Sequence, residues 1–163
     1  MLLRYLLCFL LLLGHQQLVV HHHQDLLLTF PQFVTDVQLK KYLDSGPNLI
    51  NFWATWCGPC KKEMIHLDRF SRQFKKNDFS ILSISIDTQR SLSEVKRYVR
   101  SKKYDFEVFI DPNQQIFKRL NGNIMPTNLL IDKNGQVVWM HYGYMPGDEV
   151  VMEQEIARLL KND

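Results

Sequence analysis

The sequence predicts an α/β domain with a mixed central sheet flanked by helices, and two observations carry that reading. Residues 79–86 alternate as FSILSISI, helical periodicity follows, and a second short apolar run stands at 106–110. A strand, helix, strand succession of this kind implies right-handed crossovers between parallel strands. Nearer the C-terminus, 128–131 and 137–142 flank Asp132-Lys133-Asn134-Gly135. The Asn-Gly step there signals a tight hairpin, which adds an antiparallel pair to the parallel ones. At 163 residues the chain has room for one such domain and a leader, and it contains no internal repeat.

Taken in order, the chain opens with MLLRYLLCFLLLLG, in which a lone Arg4 precedes an apolar run at 5–13. That run has the length of a signal-peptide core and is too short to span a bilayer alone. Residues 1–24 therefore read as a signal peptide or membrane anchor with a linker, and 25–163 as the domain. Bulky Leu6 and Leu7 before Cys8 argue against lipid attachment there. His21, His22 and His23 lie in a polar stretch without spaced partners and read as solvated linker. An apolar run at 25–30 suggests an edge strand, and 36–43 a short helix stopped by Ser45-Gly46-Pro47.

Residues 49–53, LINFW, read as a buried strand. Residues 61–74 read as an amphipathic helix with Met64, Leu67, Phe70, Ser71 and Phe74 on its inner face. After the strand at 79–86, Ser91 and Glu94 have capping-box spacing for a helix carrying Leu92, Val95, Tyr98 and Val99. Beyond the strand at 106–110, Asp111 is placed as the N-cap and Pro112 as the first residue of a helix through Leu120. The last helix, 149–160, turns Val150, Ile156, Leu159 and Leu160 toward the sheet. The formal net charge is +3, with lysines and arginines spread along the chain, so nothing signals a nucleic-acid partner; Lys61-Lys62 and Lys75-Lys76 read as solvated faces.

The chemistry concentrates where the strand at 49–53 meets the helix, in Trp53-Ala-Thr-Trp-Cys57-Gly-Pro-Cys60-Lys-Lys-Glu63. First-turn N–H groups lack intrahelical partners and the helix dipole is positive there, so a thiolate on Cys57 is favoured. Cys57 is the expected nucleophile. Cys60, one turn further in, is placed to attack a mixed disulfide at Cys57, while Pro59 removes an N–H that needs no partner. A zinc site lacks ligands, because Cys8 is the only other cysteine. A purely structural bridge across two residues would constrain the unfolded chain little.

The WCGPC string after an apolar strand resembles the thioredoxin superfamily. Its CGPCKKE continuation, with Met125-Pro126-Thr127, is similar to the TlpA/ResA-type branch, and the likeness covers roughly 47–160. The resemblance implies a thioredoxin-like fold with a helix-strand unit inserted between the active-site helix and a cis-proline loop at Pro126 that faces the cysteines. It implies substrate contacts at Trp56, Gly58, Pro59, Met125 and Thr127. Trp53 is expected in the core, Trp56 on the rim, and His66 and His141 at the surface or in packing.

Asn51 occupies the place of the buried aspartate of classical thioredoxins and cannot take a proton. Glu63 matches a functionally important glutamate of the ResA-type pattern; the alternative for it is an ordinary surface ion pair. Two departures stand out: Ile65 replaces a frequent proline, and the usual opening before the first strand is absent.

The implied activity is extracytoplasmic reduction of protein disulfides, in cytochrome c maturation, with a membrane thiol protein as electron donor. The resemblance brings a monomer with no cofactor beyond the cysteine pair. Two alternatives differ in class. A thiol peroxidase would need a proline-threonine-cysteine pattern, whereas Thr55 stands two before Cys57. A metal- or haem-related binding module would combine the cysteines with a histidine.

Overall fold

The computed structural model describes residues 31–162. In chain order these form β1 (Gln32–Phe33), α1 (Asp36–Leu43), β2 (Asn48–Trp53), α2 (Gly58–Phe74), β3 (Ser80–Ser85), α3 (Leu92–Lys102) and β4 (Glu107–Ile110). There follow α4 (Gln115–Arg119), β5 (Thr127–Ile131), β6 (Val137–Tyr142) and α5 (Asp148–Asn162). The predicted strand at 25–30 and the leader lie outside the described residues.

The strands make one six-stranded sheet in the order β1-β4-β3-β2-β5-β6. The four strands from β1 to β2 are mutually parallel, and β5 and β6 are antiparallel to their neighbours. β2 sits inside the sheet and is buried along its whole length, which is what a strand covered on both faces requires. Its alternation sorts the core. Ile50 and Phe52 join Leu82, Ile84, Phe109, Phe117 and Leu129 in one cluster, while Leu49 joins Leu67, Phe70, Phe74, Ile81, Leu130, Met152 and Ile156 in another. All five inner positions predicted for the active-site helix are buried.

The crossovers β2-α2-β3 and β3-α3-β4 step the same way across the sheet, so right-handedness places α2 and α3 side by side. Contacts bear this out: the Asp68 carboxylate accepts from the Asp105 backbone N–H at 2.7 Å, and Lys61 Nζ lies 5.1 Å from the Tyr98 ring centroid. On the other flank of α2, Arg69 makes a bidentate pair with Glu153 of α5 at 3.0 and 2.8 Å.

Three local expectations are corrected. Ser91 makes no capping hydrogen bond, because a 3-10 turn at Gln89–Ser91 already winds the chain into α3. Asp111 does cap a helix, but from a distance: its carboxylate accepts from Gln115 N at 3.0 Å and Phe117 N at 2.9 Å. Pro112 accordingly lies in a turn before α4, with Gln114 left-handed at φ 55°. Val150 is about half exposed, and Met152 takes the inward position with Ile156, a shift of helical phase along α5.

Candidate active site

β2 delivers Trp53 into the core with no exposure, and the chain then turns through Ala54 to Trp56 before α2 begins. Cys57 is the N-cap of α2 with extended backbone (φ −86°, ψ 103°), and its Sγ accepts from the Cys60 N–H at 3.2 Å. A sulfur in that position meets the unpartnered N–H groups and the positive end of the dipole, which favours its thiolate form. Cys57 and Cys60 are joined as a disulfide, with Cα atoms 5.3 Å apart. Cys57 retains 5% of its surface and Cys60 none, so the attack site is one-sided.

The turn is braced from behind. The Asp87 carboxylate, itself buried, accepts from the Thr55 N–H at 2.8 Å, from the Thr55 hydroxyl and from the Ser85 hydroxyl at 2.7 Å. The Ile86 N–H also donates to the Trp53 carbonyl at 2.9 Å. These bonds fix the exit of β3 against the segment that presents Trp56 and Cys57.

Glu63 is wholly buried, which removes the surface ion-pair alternative. Three residues beyond Cys60, it shares that residue's side of α2. Its two oxygens accept from two amides, Asn51 Nδ2 at 3.1 Å and Asn128 Nδ2 at 2.8 Å. Asn51 also donates to Asn128 Oδ1 at 2.9 Å and accepts from Ser83 Oγ at 3.0 Å. The sheet register explains the convergence, because Asn51 pairs with Ser83 on β3 and with Asn128 on β5. Burial pushes the Glu63 carboxyl from its ordinary 4.5 up to about 8. The Asn128 and Asn51 amides pull it down by less, and the Asp148 charge adds to the rise. A carboxyl with such a value lies near the ordinary thiol value of about 8.5, so proton exchange between the two kinds of group would cost little.

The Met125–Pro126 peptide is cis, directly before β5. Thr127 pairs with Phe52, so Pro126 stands at the level of Trp53, at the end of the sheet from which Cys57 departs. Met125 packs against the cluster that includes Cys57 and Cys60. Of the predicted contact residues, Trp56 is 69% exposed, and Gly58 and Pro59 are exposed beside it. Thr127 is buried and turns its hydroxyl back to the Ile124 carbonyl, bracing the loop from within. His66 lies beside Tyr144 with the rings tilted, and His141 stacks on Trp139 and meets Asp148 Oδ2 at 3.2 Å.

Among the described residues no cluster of His, Cys, Asp or Glu is arranged to hold a metal ion, and no helix is long and apolar enough to cross a membrane. His21 to His23 lie outside them. Sequence reasoning missed Asn128, Ser83 and Asp87. The polar positions of 79–86 were the available signal, since two of its serines hold the network and the brace.

A cysteine pair at the N-terminus of a helix, beside a cis-proline on this mixed sheet, defines a dithiol oxidoreductase of the thioredoxin fold. The chain belongs to the Redoxin family, which matches residues 27–160. It is similar to the thiol-disulfide oxidoreductase ResA of Geobacillus kaustophilus (strain HTA426), with 31% identity over 128 residues, 75% of this chain and 72% of that protein. It is also similar to the protein of that name from Bacillus thuringiensis (strain Al Hakam), with 36% identity over 113 residues, 66% of this chain and 64% of that one. Among solved structures, a Chlorobium tepidum protein assigned as a thiol:disulfide interchange protein DsbE superposes with a TM-score of 0.70 at 28% identity. That match covers 75% of this chain and 84% of that one.

Proposed function

We propose that this oxidoreductase acts outside the cytoplasm and reduces disulfides in proteins. The carrying observation is the buried Glu63 carboxyl beyond Cys60, held by Asn51 and Asn128. A reductant must release its substrate by internal attack, and that attack needs a group to take the Cys60 proton. The Cys57 thiolate attacks one sulfur of the substrate disulfide, forming a mixed disulfide and expelling the other sulfur as thiolate. Cys60 gives its proton to Glu63 and attacks Cys57, releasing the second substrate thiolate. Two electrons pass to the substrate, and the protein is left with the Cys57–Cys60 disulfide. A membrane thiol protein is the proposed donor that restores the dithiol, and no cofactor beyond the pair takes part.

The names of the relatives support the reaction class. Cytochrome c maturation is the proposed setting because it requires reduced cysteines in an oxidising compartment. Export rests on the apolar leader. A fusion of residues 1–25 to a reporter active only in the periplasm should be active; a cytoplasmic reporter would refute export and leave the reaction untouched.

The reaction is tested with Cys60→Ser. In that variant a substrate protein should stay bound to Cys57 as a mixed disulfide. In the reduced wild type Cys57 should alkylate faster than Cys60 by at least about tenfold. Equal labelling of both, or no adduct on Cys57, would remove the assignment of nucleophile and resolving thiol.

A further inference from the structure

Basic charge is concentrated next to the redox pair. Residues 90–103 contain Arg90, Lys96, Arg97, Arg100, Lys102 and Lys103 against the single acid Glu94. The whole chain holds 20 lysines and arginines and 17 acids, so everything outside this segment carries 14 and 16 and is slightly acidic. The positive excess therefore belongs to α3 and the turn before it.

Tertiary structure sets that segment beside Cys57. Arg90 lies in the 3-10 turn three residues after Asp87, whose carboxylate holds Thr55, two residues before Cys57. Tyr98 packs its ring 5.4 Å from that of Trp53, and Lys61 and Lys102 stand over the same ring at 5.1 and 5.7 Å. A protein docked on Cys57 with an ordinary footprint of about 800 Å² covers a disc of roughly 16 Å radius. Such a footprint reaches toward the Arg90 turn and α3, because Asp87 bonds Thr55 two residues before Cys57 and Lys61, four residues after it, stands over the Tyr98 ring.

We propose that the Arg90, Lys96 and Arg97 face is a docking surface for protein substrates that carry acidic residues beside the disulfide to be reduced. The inference rests on the oxidoreductase reading above and names the substrate class it selects. Charge complementarity at that range steers encounter and fixes orientation more than it adds affinity. A lipid surface fits less well, because the outward positions of α3 are Ser93, Glu94, Lys96, Arg97, Arg100 and Ser101, all exposed and none apolar. An interfacial helix needs an apolar face to insert.

The test uses the reduced full chain and two synthetic disulfide peptides that differ only in flanking aspartates or lysines. Uncharged bis(2-hydroxyethyl) disulfide is the control. At low ionic strength the acidic peptide should be reduced faster than the basic one by about tenfold, and the ratio should approach one at about 0.5 M salt. In Arg90→Glu/Lys96→Glu/Arg97→Glu the preference should vanish or reverse while the control disulfide reacts at the wild-type rate; Lys96→Gln/Arg97→Gln should show a partial loss.

Failure to reduce the control disulfide would count against the oxidoreductase reading itself. Normal control reduction with equal peptide rates at low salt, or a preference that survives charge reversal, would overturn the docking surface. Sedimentation with anionic phosphatidylglycerol vesicles without discrimination between the peptides would assign the face to a membrane and overturn it too.

Discussion

Replacing Glu63 with Gln should prolong the mixed disulfide by about 10²-fold, the size expected when general-base assistance is lost. Glutamine fills the same buried space and keeps one oxygen for the Asn128 amide, but it cannot take the Cys60 proton. The first step should not slow. An ionised Glu63 disfavours nearby thiolates, so its removal should leave Cys57 attack unchanged or slightly faster. Single-turnover mixing of the reduced protein with a disulfide peptide separates the two steps. In the wild type the resolution rate should rise with pH and level off above about 8, where Glu63 is ionised. In Glu63→Gln that inflection should disappear. Asn51→Asp in the Glu63→Gln background should recover part of the rate by returning a buried carboxylate to the same network. Unchanged resolution in Glu63→Gln would reduce Glu63 to a structural part of the core.

Stability should fall as pH rises from about 4.5 to about 8, and Glu63 should be the cause. The carboxyl holds its proton up to about 8 in the folded chain and loses it near 4.5 when unfolded. Between those values the folded state binds more protons, so each step up in pH favours unfolding. Below 4.5 both states are protonated and above 8 both are ionised, so this contribution is flat outside the window. With about 1.4 kcal/mol for each tenfold change in proton affinity, the loss across the window is on the order of a few kcal/mol. Denaturant titrations at pH 4, 6 and 9 should show this slope in the wild type and not in Glu63→Gln. That variant also turns a donor toward the Asn51 amide, a mismatch of about 1–3 kcal/mol that does not vary with pH. The diagnostic is thus the slope. A wild type as stable at pH 9 as at pH 4 would show that Glu63 ionises without cost in its pocket.

Much of this architecture is legible in the chain because its signals are local. The period-two pattern at 79–86, the helical spacing from Met64 to Phe74 and the Asn-Gly turn each report a backbone state through neighbouring residues. The same holds for the Cys57–Cys60 pair, whose position follows from a strand turning into a helix. Where local signals compete, reading is less secure. Ser91 and Glu94 have the spacing of a capping box, yet the 3-10 turn before them leaves Ser91 without a capping bond, and Asp111 reaches its helix through a turn.

What the sequence by itself determined is the mixed α/β sheet, the cysteine pair at the start of α2 and the proline before β5. Tertiary structure alone decided the state of Glu63. Its carboxyl is buried between amides 12 residues before it and 65 residues after it, brought to one level by the register of β2 with β5. It likewise packed Tyr98 of α3 beside Trp53 and left the basic residues of that helix exposed. Burial and charge proximity depend on which strands pair, and pairing between residues so far apart leaves no periodic trace in the chain; only the folded sheet brings a glutamate and two asparagines into one buried network.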